Sequence, residues 1–319
     1  MCKLTAAIVL SLALILPVTG CKSPAPQTIK KVTVGNKNFT EQRIIGQMMK
    51  QLLENRGFKV NLVSDISTTA LRQGMESGGI DICAAYTGTA WMLHLGHTYE
   101  QGIDNSELYE LVKKEEKGKG FIWLDPIWNN NTYALVSWAA FAKAHDAATL
   151  SDLAALYRKN EGKIKTFVTF EFSERPDGLP ALEAFYGFSV DEAFLMTGAP
   201  GASMKGLETR QCEVAIVFGT DPLITKYGWH VYPDDRAFFP PYDLTPYVRA
   251  EVLNQYPEIA DILNELAAAF PGGGKPATIE IVAEGQKIWQ ALNAEVDIKM
   301  MKADQVARKY LVKHRLIKK

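Results

Sequence analysis

The 319-residue chain has 47% hydrophobic and 22% charged residues and a formal net charge of −1. That length holds two domains with a core each. The near-neutral balance excludes a polybasic surface, so no nucleic-acid partner is expected, and ordinary glycine and proline usage excludes collagen-like or disordered classes.

Residues 1–20 read as an export signal: Lys3 supplies the charged start, and an apolar run from Thr5 to Val18 is too short for a spanning helix. The run ends in "VTGC", which resembles a lipobox and makes Cys21 the expected lipidation site and mature N-terminus. Residues 21–30, rich in Pro and Ser, read as a tether. The protein is therefore expected to be exported and held by its lipid to a membrane, facing the periplasm or cell exterior. Of the other cysteines, Cys83 and Cys212 fall in apparently buried contexts. An exported chain permits a disulfide between them, and two small buried hydrophobes is the reading preferred here.

The folded part opens with a strand over 32–34 and a helix with Thr40 as N-cap and Glu41 favourable in its first turn. The pairs Ile44/Ile45, Met48/Met49 and Leu52/Leu53 recur every four residues and give that helix one broad apolar face. A strand over 58–63, a helix over 67–78 and a strand over 80–84 follow, the alternation of a parallel α/β sheet, whose ligands gather at the strands' carboxyl ends. Tyr86 stands at such an end, before a Thr-Gly-Thr turn.

A helix around 105–116 leads to the segment 121–138, with aromatics, an Asp-Pro break and three asparagines before a strand at "TYALVSW". Helix 150–160, strand 165–170 and a helix from Gly178 come next. Residues 206–224 read as helix, strand and a second cleft-type turn at Gly219-Thr220-Asp221. The segment 237–248, with three prolines, reads as an extended crossing. Helices over 250–270, 278–294 and 303–313 close the chain. Crossings near 128–134 and 236–246 divide it into lobe 1 (31–130 plus 243–319) and lobe 2 (131–242), hinged about a cleft.

"VGNKNFTEQRIIGQ", "GIDICAAYTGTA", "NNNTYALV", "EFSERPDGLPALEAFYGF", "FGTD" and "FFPPYDLTPYVR" occur in order at sensible spacing. Together they closely resemble the glycine betaine/carnitine/choline-binding proteins of osmoprotectant ABC transporters, from about Lys30 to about Lys313. The resemblance implies a type II periplasmic-binding-protein fold, an α/β architecture of two lobes joined by two crossovers with the ligand between. It implies an aromatic cage for a quaternary ammonium, falling on Tyr86, Tyr133, Phe218 and Tyr242. A trimethylammonium donates no hydrogen bonds, so ring faces are its best partners. The same carry-over assigns Lys37 and Arg175 to a ligand carboxylate, Thr89 to a hydroxyl donor and Asn131 to a polar contact. Permease and ATPase subunits are the implied partners, and no cofactor is implied. Two departures stand out: Phe218 replaces a tyrosine common in relatives, and Ala84-Ala85 replaces a common Pro-Glu.

Other signals carry less. His94 and His97 share helical spacing but have no acidic or cysteine partner nearby in sequence, so no metal is expected. "PGGGKP" (271–276) lacks the strand and Lys-Ser/Thr of a phosphate loop. No nucleophile constellation marks an enzyme, although an enzyme or a sensor subunit on the same scaffold are the competing readings.

Overall fold

A computed structural model describes residues 29–175 and 177–318. The signal segment, Cys21 and most of the tether lie outside these residues. Among the described residues ten strands form two sheets: β1 (Lys31–Lys37), β2 (Lys59–Ile66), β3 (Ile82–Tyr86), β4 (Phe121–Trp123), β5 (Tyr133–Trp138), β6 (Thr166–Thr169), β7 (Leu195–Gly198), β8 (Val214–Phe218), β9 (Trp229–Val231) and β10 (Leu244–Arg249). The orders are β2-β1-β3-β10-β4 and β7-β6-β8-β5-β9. In each sheet four strands run in one direction, and the strand entered directly after a crossing runs against them: β10 is antiparallel to β3 and β4, β5 to β8 and β9.

Alternation along β3 places the site. Ile82, Ala84 and Tyr86 point into the cluster built on the Thr40–Asn55 helix, while Cys83 and Ala85 point into the opposite cluster with Leu71 and Tyr247. The six apolar residues expected on the 40–55 helix are all fully buried. At about 1.5–3 kcal/mol for each such side chain, they anchor the helix and hold its first turn against the cleft. Its N-cap is Phe39 in extended backbone, not Thr40; the Thr40 hydroxyl instead donates to Asp297 Oδ1 at 2.6 Å.

Residues 244–248, read from sequence as part of a crossing, belong to β10, the strand between β3 and β4. The Pro246 carbonyl accepts from the Leu124 amide at 3.0 Å, and the Leu124 carbonyl, which finds no N–H on the proline, accepts from the Tyr109 hydroxyl at 2.8 Å instead. The expected 250–270 helix is two, Ala250–Gln255 and Glu258–Ala268, separated at Tyr256-Pro257. Cys83 and Cys212 are buried, unbonded and in different clusters.

The three asparagines stitch the crossings together. Asn130 Oδ1 accepts from the Tyr242 amide, Asn129 Oδ1 from the Leu244 amide, and the Asn131 amide donates to the Tyr242 carbonyl. Buried Asp243 accepts the amides of Asn129 and Asn130. Asn130 sits at φ +32°, a left-handed conformation asparagine tolerates well. The Ile279–Asp297 helix lies against this junction so closely that a Cβ at Gly285 would stand 1.8 Å from the Trp128 carbonyl oxygen. It also reaches the turn after β8, through Gln290 to the Gly219 carbonyl and Asn293 to the Thr220 carbonyl.

Candidate ligand-binding site

The carboxyl ends of β1, β3, β6 and β8 and the starts of β5 and β10 converge between the sheets. Lys37, Tyr86, Thr89, Asn131, Tyr133, Arg175, Phe218 and Tyr242, the eight residues singled out from sequence, line one cavity of about 30 Å³ there. The Thr-Gly-Thr turn that aims Tyr86 needs its glycine: a Cβ at Gly88 would lie 2.8 Å from the Pro241 carbonyl oxygen and 2.9 Å from the Tyr242 ring. That close approach seats the end of β3 against the second crossing.

Tyr133 is the centre of the ring array. Its centroid lies 5.4 Å from Phe218 and 5.7 Å from Tyr242, the latter nearly perpendicular at 82°. Such tilted contacts turn ring faces and edges toward a shared space. A fifth ring, absent from the sequence-derived set, completes the array: Phe39 stacks on Phe218 at 4.9 Å and on Tyr86 at 6.2 Å. Phe39 thus stands between two of the four expected cage rings. The Tyr242 hydroxyl is buried with no hydrogen-bond partner among the described residues.

The two basic residues differ in kind. Arg175 grips Asp177 through Nε and Nη2 and also bonds Glu171 Oε1 at 3.0 Å, so its charge is already matched. Lys37 is 5% exposed, and its ammonium makes no hydrogen bond or ion pair among the described residues. It lies 5.4 Å from the Tyr86 ring centroid. Burial pulls its pKa down to about 8, partly opposed by the Glu171 carboxylate.

Glu41, read from sequence only as a favourable first-turn residue, is the main acceptor behind the cage. Its Oε1 takes hydrogen bonds from the Tyr86 hydroxyl (2.8 Å), Asn129 Nδ2 (3.0 Å) and Asn131 Nδ2 (3.1 Å), and its Oε2 from the Thr220 hydroxyl (2.7 Å). One carboxylate therefore ties together β3, the first crossing and the turn after β8. Burial raises its pKa, and the donors pull the other way. Asp221, whose Oδ2 accepts the Phe218 amide at 2.8 Å, is raised by burial to about 7. Replacing Glu41 with alanine leaves the buried Tyr86 hydroxyl and Asn129 amide group without an acceptor, while Thr220 keeps Asn131 Oδ1 and Asn131 Nδ2 keeps the Tyr86 hydroxyl; relief of the buried charge offsets only part of the loss. We expect stability to fall by about 2 kcal/mol, read as a lower urea midpoint at unchanged slope.

His97 bonds Glu115 at 2.9 Å and stacks on Trp91 at 3.9 Å, and burial lowers His94 to about 3. Among the described residues no group of three or more His, Cys, Asp or Glu side chains is placed to hold a metal ion. Nor is any described helix long and apolar enough to cross a membrane.

The family model for the substrate binding domain of ABC-type glycine betaine transport systems matches residues 30–313. The chain belongs to that family. It is 30% identical over 289 residues to a glycine-betaine-binding protein of Pseudomonas aeruginosa, covering 89% of this chain and 88% of the relative. To a carnitine transport binding protein of Listeria monocytogenes it is 31% identical over 289 residues, covering 89% and 86%. A crystal structure of a glycine betaine/carnitine/choline ABC transporter protein superposes with a TM-score of 0.66 at 26% identity, over 89% of this chain and 99% of the other. The two-sheet architecture is thus that of the periplasmic binding proteins, and the chain is a substrate-binding protein of an ABC importer, not an enzyme.

Proposed function

We propose that this protein captures glycine betaine or a related quaternary ammonium osmoprotectant in an aromatic cage and delivers it to the permease and ATPase subunits of its importer. The observation that carries this reading is the meeting of Tyr86, Tyr133, Phe218 and Tyr242 around one small cavity with the unpaired ammonium of Lys37 on its wall. Rings suit a trimethylammonium, and a buried cation without a partner suits a carboxylate a short distance away. Thr89 and Asn131 complete the polar lining. Lobes 31–130 plus 243–319 and 131–242 are the units that close on the ligand, with 124–132 and 232–243 as the crossings between them.

Calorimetric titration of the protein from Lys22 onward with glycine betaine, carnitine and choline tests the reading. Betaine and carnitine should bind, choline more weakly, because only the first two bring an anion to Lys37. No heat and no thermal shift with any of the three overturns it.

We further propose that Cys21 carries the lipid that holds the receptor beside its permease, as the "VTGC" sequence supports. Cys21→Ala should leave an unprocessed precursor or release the protein from the membrane fraction. A variant of normal mature size that still sediments with membranes argues against the anchor.

A further inference from the structure

Across the Phe39 and Phe218 rings from the cage lies a second cavity of about 190 Å³, which shares Asn131, Tyr133 and Thr169 with it as lining. Its chemistry is the reverse of the cage's. Glu41, Asp221 and Asp297 line it, against a single cation, Arg43, whose guanidinium is already bound to Asp65 and to the Asn38 carbonyl. Asn293 lines it too and is 2% exposed. Its amide nitrogen donates to the Thr220 carbonyl at 3.1 Å, which fixes the orientation of the group and leaves Oδ1 as a buried acceptor with no partner among the described residues. A buried acceptor left unmatched costs free energy unless something supplies a donor.

A trimethylammonium head has no N–H to offer, so these acceptors do nothing for glycine betaine. We propose that the second cavity is a side-arm subsite: it takes the arm of a larger betaine ending in N–H donors, while the trimethylammonium and carboxylate stay among the cage rings and Lys37. The cleft would then sort betaines by the substituent on the carbon between nitrogen and carboxylate. The inference rests on the proposed capture of a betaine.

The test is calorimetric, on the parent protein, Asp297→Asn and Met204→Trp, with three probes: glycine betaine, N,N,N-trimethylhistidine and N,N,N-trimethylphenylalanine. Asp297→Asn removes a negative charge but keeps an acceptor for Thr40. Met204 lines only the second cavity, and tryptophan there fills it. Trimethylhistidine should bind the parent about tenfold more tightly than either other probe. In both variants that advantage should shrink to about twofold or less, with glycine betaine affinity unchanged, which also reports an intact fold. Trimethylhistidine binding no tighter than glycine betaine, or no tighter than trimethylphenylalanine, overturns the subsite and leaves the capture reading standing. So does an advantage that survives both variants. Binding of no betaine overturns the capture reading, and the subsite falls with it.

Discussion

Leucine in place of Tyr133 or Tyr242 should weaken glycine betaine binding about tenfold, with little change in the stability of the free protein. A ring face contributes about 0.5–2 kcal/mol to a cation held against it, more as water is excluded, and 1.4 kcal/mol is a factor of ten. Both side chains are buried at the cage, so the upper part of that range applies. Leucine keeps apolar bulk and removes the π face. At Tyr242 it also removes a buried hydroxyl that has no partner, so the fold loses no hydrogen bond there. The decisive comparison uses 3,3-dimethylbutanoate, in which a neutral carbon replaces the quaternary nitrogen. If the rings act through cation–π attraction, the leucine variants lose betaine affinity but bind the neutral isostere as the parent does. Equal losses for both ligands would mean that the rings supply only shape. Phe218→Tyr should be tolerated, since it keeps the ring face and changes only its edge.

Where local pattern decides structure, the sequence was easy to read. The four-residue repeat of the 40–55 helix and the short apolar runs of β3 and β8 follow from side-chain direction alone. β10 was not legible, because Pro246 is the residue that normally argues against a central strand. What permits it lies far along the chain: the Tyr109 hydroxyl donates to the Leu124 carbonyl, which the proline leaves without a backbone donor. The eight cavity-lining residues came from ordered motifs resembling those of known binding proteins. Neither Glu41 nor Phe39 was among them. A glutamate after a threonine at a helix start looks like an exposed complement to the helix dipole, and nothing local signals otherwise. Its burial comes from donors 45 to 179 residues away, at Tyr86, Asn129, Asn131 and Thr220. Phe39 likewise looks like a loop residue until β3 and β8 bring two other rings onto its faces. "NNN" was visible as an oddity, but its use as backbone surrogates between two crossings required the return of 242–244.

Betaine and choline should respond to pH in opposite directions, with Lys37 as the cause. In the free protein Lys37 titrates near 8, because burial penalises its charge more than Glu171 restores it. Below that pH the cavity holds an ammonium with no acceptor. A betaine carboxylate gives it one and so raises its pKa on binding; the affinity is therefore full below about 8 and declines above it, as binding must first recover a proton. A hydrogen bond between charged groups contributes about 1.5–3 kcal/mol, so the loss between pH 7 and pH 9.5 should be about tenfold or more. Choline brings only positive charge. It is opposed by protonated Lys37, so its affinity should rise over the same interval. Lys37→Met should flatten both curves, weakening betaine about tenfold at pH 7 and leaving choline equal or tighter. Stability of the free protein supplies an independent check on the assignment. With a folded pKa near 8 against 10.5 unfolded, the unfolded chain binds more protons between those values, so the Lys37 contribution makes stability increase with pH across that window. The increase should be missing from Lys37→Met. Parallel pH profiles for the two ligands, or profiles unchanged by Lys37→Met, would remove Lys37 from the carboxylate site and leave Arg175, already engaged by Asp177 and Glu171, as the remaining cation there.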